Sequence, residues 1–239
     1  MAGEFQILPA IDVLEGRCVR LAEGERSRVT VEGGEPAAAT ARFVREGARF
    51  LHLVDLDGAF AGSPTPGLVE SVAAAASGVP VQAGGGLRTP EAVEAALGAG
   101  AARAMVGTAA TTPELLHRLA GRFGARLVVA IDVRDGLVVA DGWTRASALE
   151  PAELARRCAE SGVERLLVTA TRRDGSLSGP DYELLEEIIR AGLPVLAAGG
   201  IASLADLRRL RDLGCEGAVV GSALWLGRFT LADALAVCA

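Results

Sequence analysis

Two short segments, LPAIDV (Leu8 to Val13) and VVAIDV (Val128 to Val133), each lead an apolar run into an aspartate, Asp12 in the first and Asp132 in the second. A carboxylate at the end of a buried run loses hydration and needs either bonding partners or a chemical task. Taken alone, each aspartate reads equally well as a cap on the loop that follows it. Taken as a pair, they read as a general acid and a general base, with the surroundings of each deciding which one holds the proton.

A second set of chemistry-bearing residues is also duplicated. AGGGLR (83–88) and VGTAA (106–110) return as AAGGIA (197–202) and VGSAL (220–224), with Gly85 to Gly199 and Gly107 to Gly221 both offset by 114 residues. Glycine lets backbone amides approach a phosphate closely, and a helix starting just beyond adds its positive dipole end. Gly85, Gly86, Gly107 and Thr108 form one candidate phosphate site, and Gly199, Gly200, Gly221 and Ser222 a second. A single GG pair more often marks only a tight turn; the ungapped repetition reverses that preference and implies a ligand with a phosphate at each end. Further polar candidates are Arg20, His52, Asp55, Thr169 and Asp174, with Asp55 matched to Thr169 by the same offset. Trp143 could stack on a planar substrate or anchor its loop, and His52 reads at least as well as a satisfied strand histidine.

These residues need a frame that brings them together. Eight short strand candidates, ILPAID (7–12), FLHLVD (50–55), VPVQAG (79–84), RAMVG (103–107), LVVAID (127–132), RLLVTA (165–170), LPVLAAG (193–199) and GAVVG (217–221), alternate with helical stretches opened by Pro36, Pro66, Thr89-Pro90, Thr112-Pro113, Pro151, Pro180, Ser203 and Thr230. Eight such units match a single (β/α)8 barrel over residues 1–239, built as two half-barrel repeats, in preference to a doubly wound sheet. The active site of such a barrel lies at the C-terminal ends of its strands. Strands 1 and 5 stand opposite one another in an eight-strand ring, so Asp12 and Asp132 are expected to face each other across the mouth.

Composition removes several function classes. The formal charge of −6 gives no basic face for nucleic acid. All 24 basic residues are arginine, and without lysine there is no Schiff-base or pyridoxal chemistry. Two histidines and four scattered cysteines (Cys18, Cys158, Cys215, Cys238) offer no metal-ligand spacing and suggest free thiols in a cytoplasmic protein. The start, MAGEFQILPA, lacks a charged segment followed by an apolar leader, and no apolar run is long enough to span a membrane. A barrel of this size can stand alone, so a monomer is expected.

The motifs LPAIDVLEGRCVRL, HLVDLDGA, AGGGLR, VGTAA, AIDVRDG followed by GW, RRDGSLSGP, AAGGI and VGSAL together resemble, over essentially the whole chain, the histidine-biosynthesis isomerase family. That family converts a phosphoribosylformimino aminoimidazole carboxamide ribonucleotide from its aminoaldose to its aminoketose form. The resemblance implies that Asp12 is the general base acting at C2 of the opened ribose, and that Asp132 is the general acid. It makes Thr169 a polar residue of the site and Asp174 a carboxylate on the loop after strand 6. It places Gly175 with the second phosphate cluster and calls for no metal or organic cofactor.

Three neighbouring readings differ in identifiable residues. The bifunctional actinobacterial relative, which also isomerises phosphoribosyl anthranilate, resembles this chain over the same motifs but commonly has an arginine before the Gly-Trp pair. Here Asp141 stands there, so histidine-pathway activity alone is expected unless Arg134 or Arg145 substitutes. The cyclase subunit of imidazole glycerol phosphate synthase usually has a lysine shortly after its first aspartate, and this chain has none. A catalytically silent barrel that only binds phosphorylated metabolites would have no reason to keep both aspartates beside both glycine clusters.

Overall fold

The computed structural model describes residues 4–238; the N-terminal segment inspected above for a leader begins outside them, at residues 1–3. Eight strands pair in parallel around a closed ring: β1 (Gln6–Leu14), β2 (Leu51–Asp55), β3 (Val81–Gly84), β4 (Arg103–Val106), β5 (Leu127–Arg134), β6 (Leu166–Ala170), β7 (Val195–Ala198) and β8 (Gly217–Val220). Pairing of β8 with β1, Gly217 opposite Gln6 and Val220 opposite Pro9, closes the circle. The ring is a (β/α)8 barrel, and all eight expected strands are present. The helices α1 (Pro36–Arg45), α2 (Leu68–Ala75), α3 (Pro90–Gly98), α4 (Pro113–Phe123), α5 (Pro151–Glu160), α6 (Tyr182–Ile189), α7 (Leu204–Leu213) and α8 (Leu231–Cys238) follow them in turn. Proline occupies the first turn of α1, α3, α4 and α5, where its missing N–H costs nothing. The side chains of Thr89, Asp181 and Ser203 cap α3, α6 and α7. None of the described helices is long and apolar enough to cross a membrane.

Because side chains alternate across a strand, each β-strand serves two cores. Leu8 and Ala10 of β1, Val128 and Ala130 of β5, Leu167 of β6, Leu196 of β7 and Val219 of β8 fill the barrel interior. The intervening residues, among them Ile7, Ile11, Val129, Ile131 and Val168, pack outward against the helices. Parity then decides what reaches the mouth. Asp12 is the next interior position after Leu8 and Ala10, Asp132 the next after Val128 and Ala130, and Thr169 the next after Leu167.

The same parity corrects one expectation. Asp12 pairs with Val54 and Asp132 with Thr169, so the counterpart of Thr169 is Val54, and the offset in this strand is 115 rather than 114. Asp55 consequently faces away from the interior. Its carboxylate accepts from the amides of Gly58 and Thr65 and from the Thr65 hydroxyl, closing the loop after β2.

β1 and β5 run two residues further than the expected segments because each turns back on itself above the rim. β1 pairs with Arg17–Leu21, which pairs in turn with Val29–Gly34. β5 pairs with Leu137–Ala140, and that strand with Arg145–Ala146. A short helix, Leu56–Ala61, adds Leu56 and Phe60 to a small cluster with Leu14, Val19 and Leu21 over the mouth.

Candidate active site

Asp12, Asp132, Thr169, Asp174, Arg20, His52, Gly85, Gly86, Gly107, Thr108 and Trp143 all line one cleft at the C-terminal ends of the strands. Its floor is largely apolar, formed by Ala10, Met105, Ala130, Leu167, Ala198 and Val219. Within that dry setting the carboxylates are perturbed. Burial pushes Asp12 up from 3.8 to about 6, against the opposing pull of Arg20 and with a contribution from the charge of Asp174. Burial also raises Asp132, which the Trp143 indole and the Thr169 hydroxyl partly offset by donating to it. Asp174 is raised for the same reason, with Arg20 pulling the other way.

Arg20 ties this group together. It rises from the strand antiparallel to β1, is 5% exposed, and donates to Asp12 through one terminal nitrogen and to Asp174 at 3.3 Å through the other. Its Nε lies 3.5 Å from Ser222 Oγ, and the guanidinium covers Gly221 so closely that a Cβ there has no room. Arg20 thus reaches the Gly221–Ser222 turn. The larger part of its charge, however, is spent on two carboxylates.

His52 sits on the floor with Nδ1 3.0 Å from Gln82 Nε2, and burial, reinforced by Arg20, lowers it to about 3. It is a neutral ring at ordinary pH and a hydrogen-bonding group rather than an acid–base catalyst.

The two glycine clusters repeat in space as they do in sequence. Gly85 and Gly86 have φ of 113° and 73°, and Gly199 and Gly200 have 88° and 84°. All four are left-handed positions where a Cβ would strike a neighbouring loop, at Asp55, Gly58, Ala170 and Gly179 respectively. Their amides donate to no protein acceptor among the described residues. Gly107 and Gly221 share the same unusual backbone, φ −111° and ψ −83° against φ −103° and ψ −97°, and each opens a short helical turn. The first cluster opens onto the cleft. Gly175, Gly199, Gly200, Gly221 and Ser222 lie instead beyond Arg20, where Gly175 packs on Leu21 O and Gly200 on Gly179 O.

Arg88 was read only as part of a glycine motif, yet it lines the cleft beside Gly107 and Thr108, donating to Ala59 O at 3.1 Å and lying 3.5 Å from Asp141. Its position two residues after three consecutive glycines was the available signal. Asp141 also pairs with Arg145 at 2.7 Å and accepts Arg88, while its amide donates to Thr108 Oγ1 at 2.8 Å. Arg134 is committed to Glu23 O and Thr171 Oγ1. Neither Arg134 nor Arg145 lines the cleft. Trp143, at φ 68°, lies against Gly24 and so joins the hairpin after β5 to the loop after β1.

A closed parallel barrel that gathers two largely buried carboxylates and repeated glycine turns at the C-terminal ends of its strands is a (β/α)8 barrel with its polar residues where such barrels carry their active sites. The chain belongs to the histidine biosynthesis protein family, whose model matches residues 6–230. It is 48% identical over 238 residues to a protein of Moorella thermoacetica named 1-(5-phosphoribosyl)-5-((5-phosphoribosylamino)methylideneamino)imidazole-4-carboxamide isomerase, with 98% of each chain covered. Proteins of the same name from Chloroflexus aurantiacus (46%, 98% of each chain) and Symbiobacterium thermophilum (44%, 98% of this chain and 97% of the relative) are similar over the same span.

Proposed function

We propose that this chain is an intramolecular aldose–ketose isomerase of histidine biosynthesis, converting the bisphosphorylated imidazole carboxamide ribonucleotide named in its relatives to the phosphoribulosyl form. It acts as a single barrel domain over residues 1–239, and its four buried free thiols suit a cytoplasmic location. The observation that carries the reading is the pair of opposed, buried carboxylates with different partners, Asp12 on Arg20 and Asp132 on Trp143 and Thr169.

An Amadori rearrangement moves protons within one molecule. It needs an acid at the ring oxygen to open the ribose to a C1 iminium and a base to take the C2 proton; the C2–H electron pair forms the C1=C2 bond of the enolamine as the iminium nitrogen is neutralised, and a proton returned to C1 while the 2-hydroxyl gives up its own yields the ketone. Asp12, fixed by Arg20, is placed to be the base. Asp132, which burial shifts toward its protonated form, serves as the acid, with Thr169 beside it on the neighbouring strand. Asp174, on the loop after β6, balances Arg20. The first phosphate rests on Gly85, Gly86, Gly107 and Thr108 with Arg88 as cation, and the second on Gly175, Gly199, Gly200, Gly221 and Ser222.

The test is direct turnover of that substrate by wild type, Asp12→Asn and Asp132→Asn. Each variant is expected to lose at least about 10²-fold in kcat, the usual contribution of a general acid or base, with substrate binding largely retained. Wild-type turnover in either variant removes that residue from the mechanism, and binding without turnover in wild type points to a silent barrel.

A further inference from the structure

Trp225 is not used by the mechanism above, yet its indole reaches the strand that presents Asp12. β8 ends at Val220, and its register with β1 ends at Pro9. One residue later, Ala10 O accepts from Trp225 Nε1 at 2.9 Å. The ring that makes this bond is held on three sides. Phe43 of α1 meets it edge to face at 5.6 Å, the Arg42 guanidinium lies 4.5 Å over it, and Gly33 abuts its edge with no room for a Cβ. Trp225 itself ends the short helix that begins at Ser222, in the second glycine cluster.

The other half-barrel has no such tie. The residue offset by 114 from Trp225 is Thr111, whose hydroxyl donates back to Thr108 O. Among the described residues no side chain donates to Ala130 O, two residues before Asp132. One aspartate stands on a strand end fixed from outside the barrel, and the other beneath a hairpin through Trp143.

We infer that Trp225 is a positioning residue for Asp12, its indole N–H holding β1 at Ala10, just past the last residue paired with β8, and linking it to the Gly221–Ser222 turn. Two residues beyond the anchored carbonyl, Asp12 is set against Arg20, with Asp174 the other charge facing it. Losing the anchor lets the carboxylate drift from the guanidinium, so the base is both misplaced and harder to ionise. The inference rests on Asp12 being the base.

The experiment compares wild type, Trp225→Phe, and a protein with β-(benzothienyl)alanine at 225, which keeps the indole shape and loses the N–H; Asp12→Asn runs beside them. Both 225 variants are expected to lower kcat by about fivefold or more, as a displacement well under 1 Å warrants. KM should change less than about twofold, and the acid limb of the pH–rate profile should move upward. If Trp225→Phe does not fold, the isostere decides alone. A wild-type kcat and an unmoved acid limb in the isostere overturn the inference, as does a loss confined to KM. A high residual rate in Asp12→Asn overturns the assignment of the base instead, so the two failures are separable.

Discussion

Asp12 combines two demands that pull against each other. To act as a base it must ionise, and its apolar surroundings oppose that until about pH 6. If Asp12 is the base, activity should therefore rise with pH through an acid limb near 6 in kcat/KM. Burial has a second consequence for stability. Between 3.8 and about 6 the unfolded chain has released the Asp12 proton while the folded chain still holds it, so the folded state binds more protons and stability falls as pH rises through that window. Above about 6 the cost is constant, about 3 kcal/mol for a shift of this size. Asp12→Asn should raise the urea midpoint relative to wild type at pH 7.5, with the advantage shrinking as pH falls from about 6 and gone below about 4. A difference that does not vary with pH contradicts the burial account.

At the scale of elements, the hairpin after β5 brings Asp141, Gly142 and Trp143 to the cleft, and on the proposed function it bears on which substrates fit. Asp141 puts a carboxylate between Arg88 and Arg145, where a second carboxylate on the ligand is repelled. Phosphoribosyl anthranilate should accordingly be a poor substrate, and Asp141→Arg should raise its kcat/KM by about tenfold, a modest share of a charge-pair energy. Comparable kcat/KM for both substrates in wild type excludes this role for Asp141. Strand positions, the half-barrel repeat and both catalytic candidates were legible in the sequence because period-2 burial and duplicated motifs leave strong local signals. Asp55 was misplaced because a gap of one residue between repeats is invisible locally, while in a strand it exchanges inside for outside. The two hairpins and Arg88 were missed for another reason. RCVRL and VTVEGG form a local hairpin above the rim, outside the strand–helix alternation that marks the barrel, and the arginine of AGGGLR acquires its role only from partners distant in the chain, Ala59 and Asp141.

Across the whole molecule, the two halves share a backbone plan and differ in what they do with it. Each half supplies one aspartate and one glycine cluster with free amides, and on the proposed function a ligand spanning the mouth would be gripped by both halves with the chemistry between them. On that proposal, binding energy from groups remote from the reacting carbons would go into holding C2 and the ring oxygen against Asp12 and Asp132. Substrates lacking either terminal phosphate should show this most clearly. Removing one phosphate should lower kcat/KM by roughly 10²-fold or more, with part of the loss in kcat, because the remaining anchor lets the ribose pivot away from the carboxylates. The two losses should be similar in size, and inorganic phosphate added to either truncated substrate should restore part of the rate by refilling the empty cluster. A loss of less than about threefold at one end would mean that one glycine cluster is only a tight turn, and that the molecule holds its ligand by a single half.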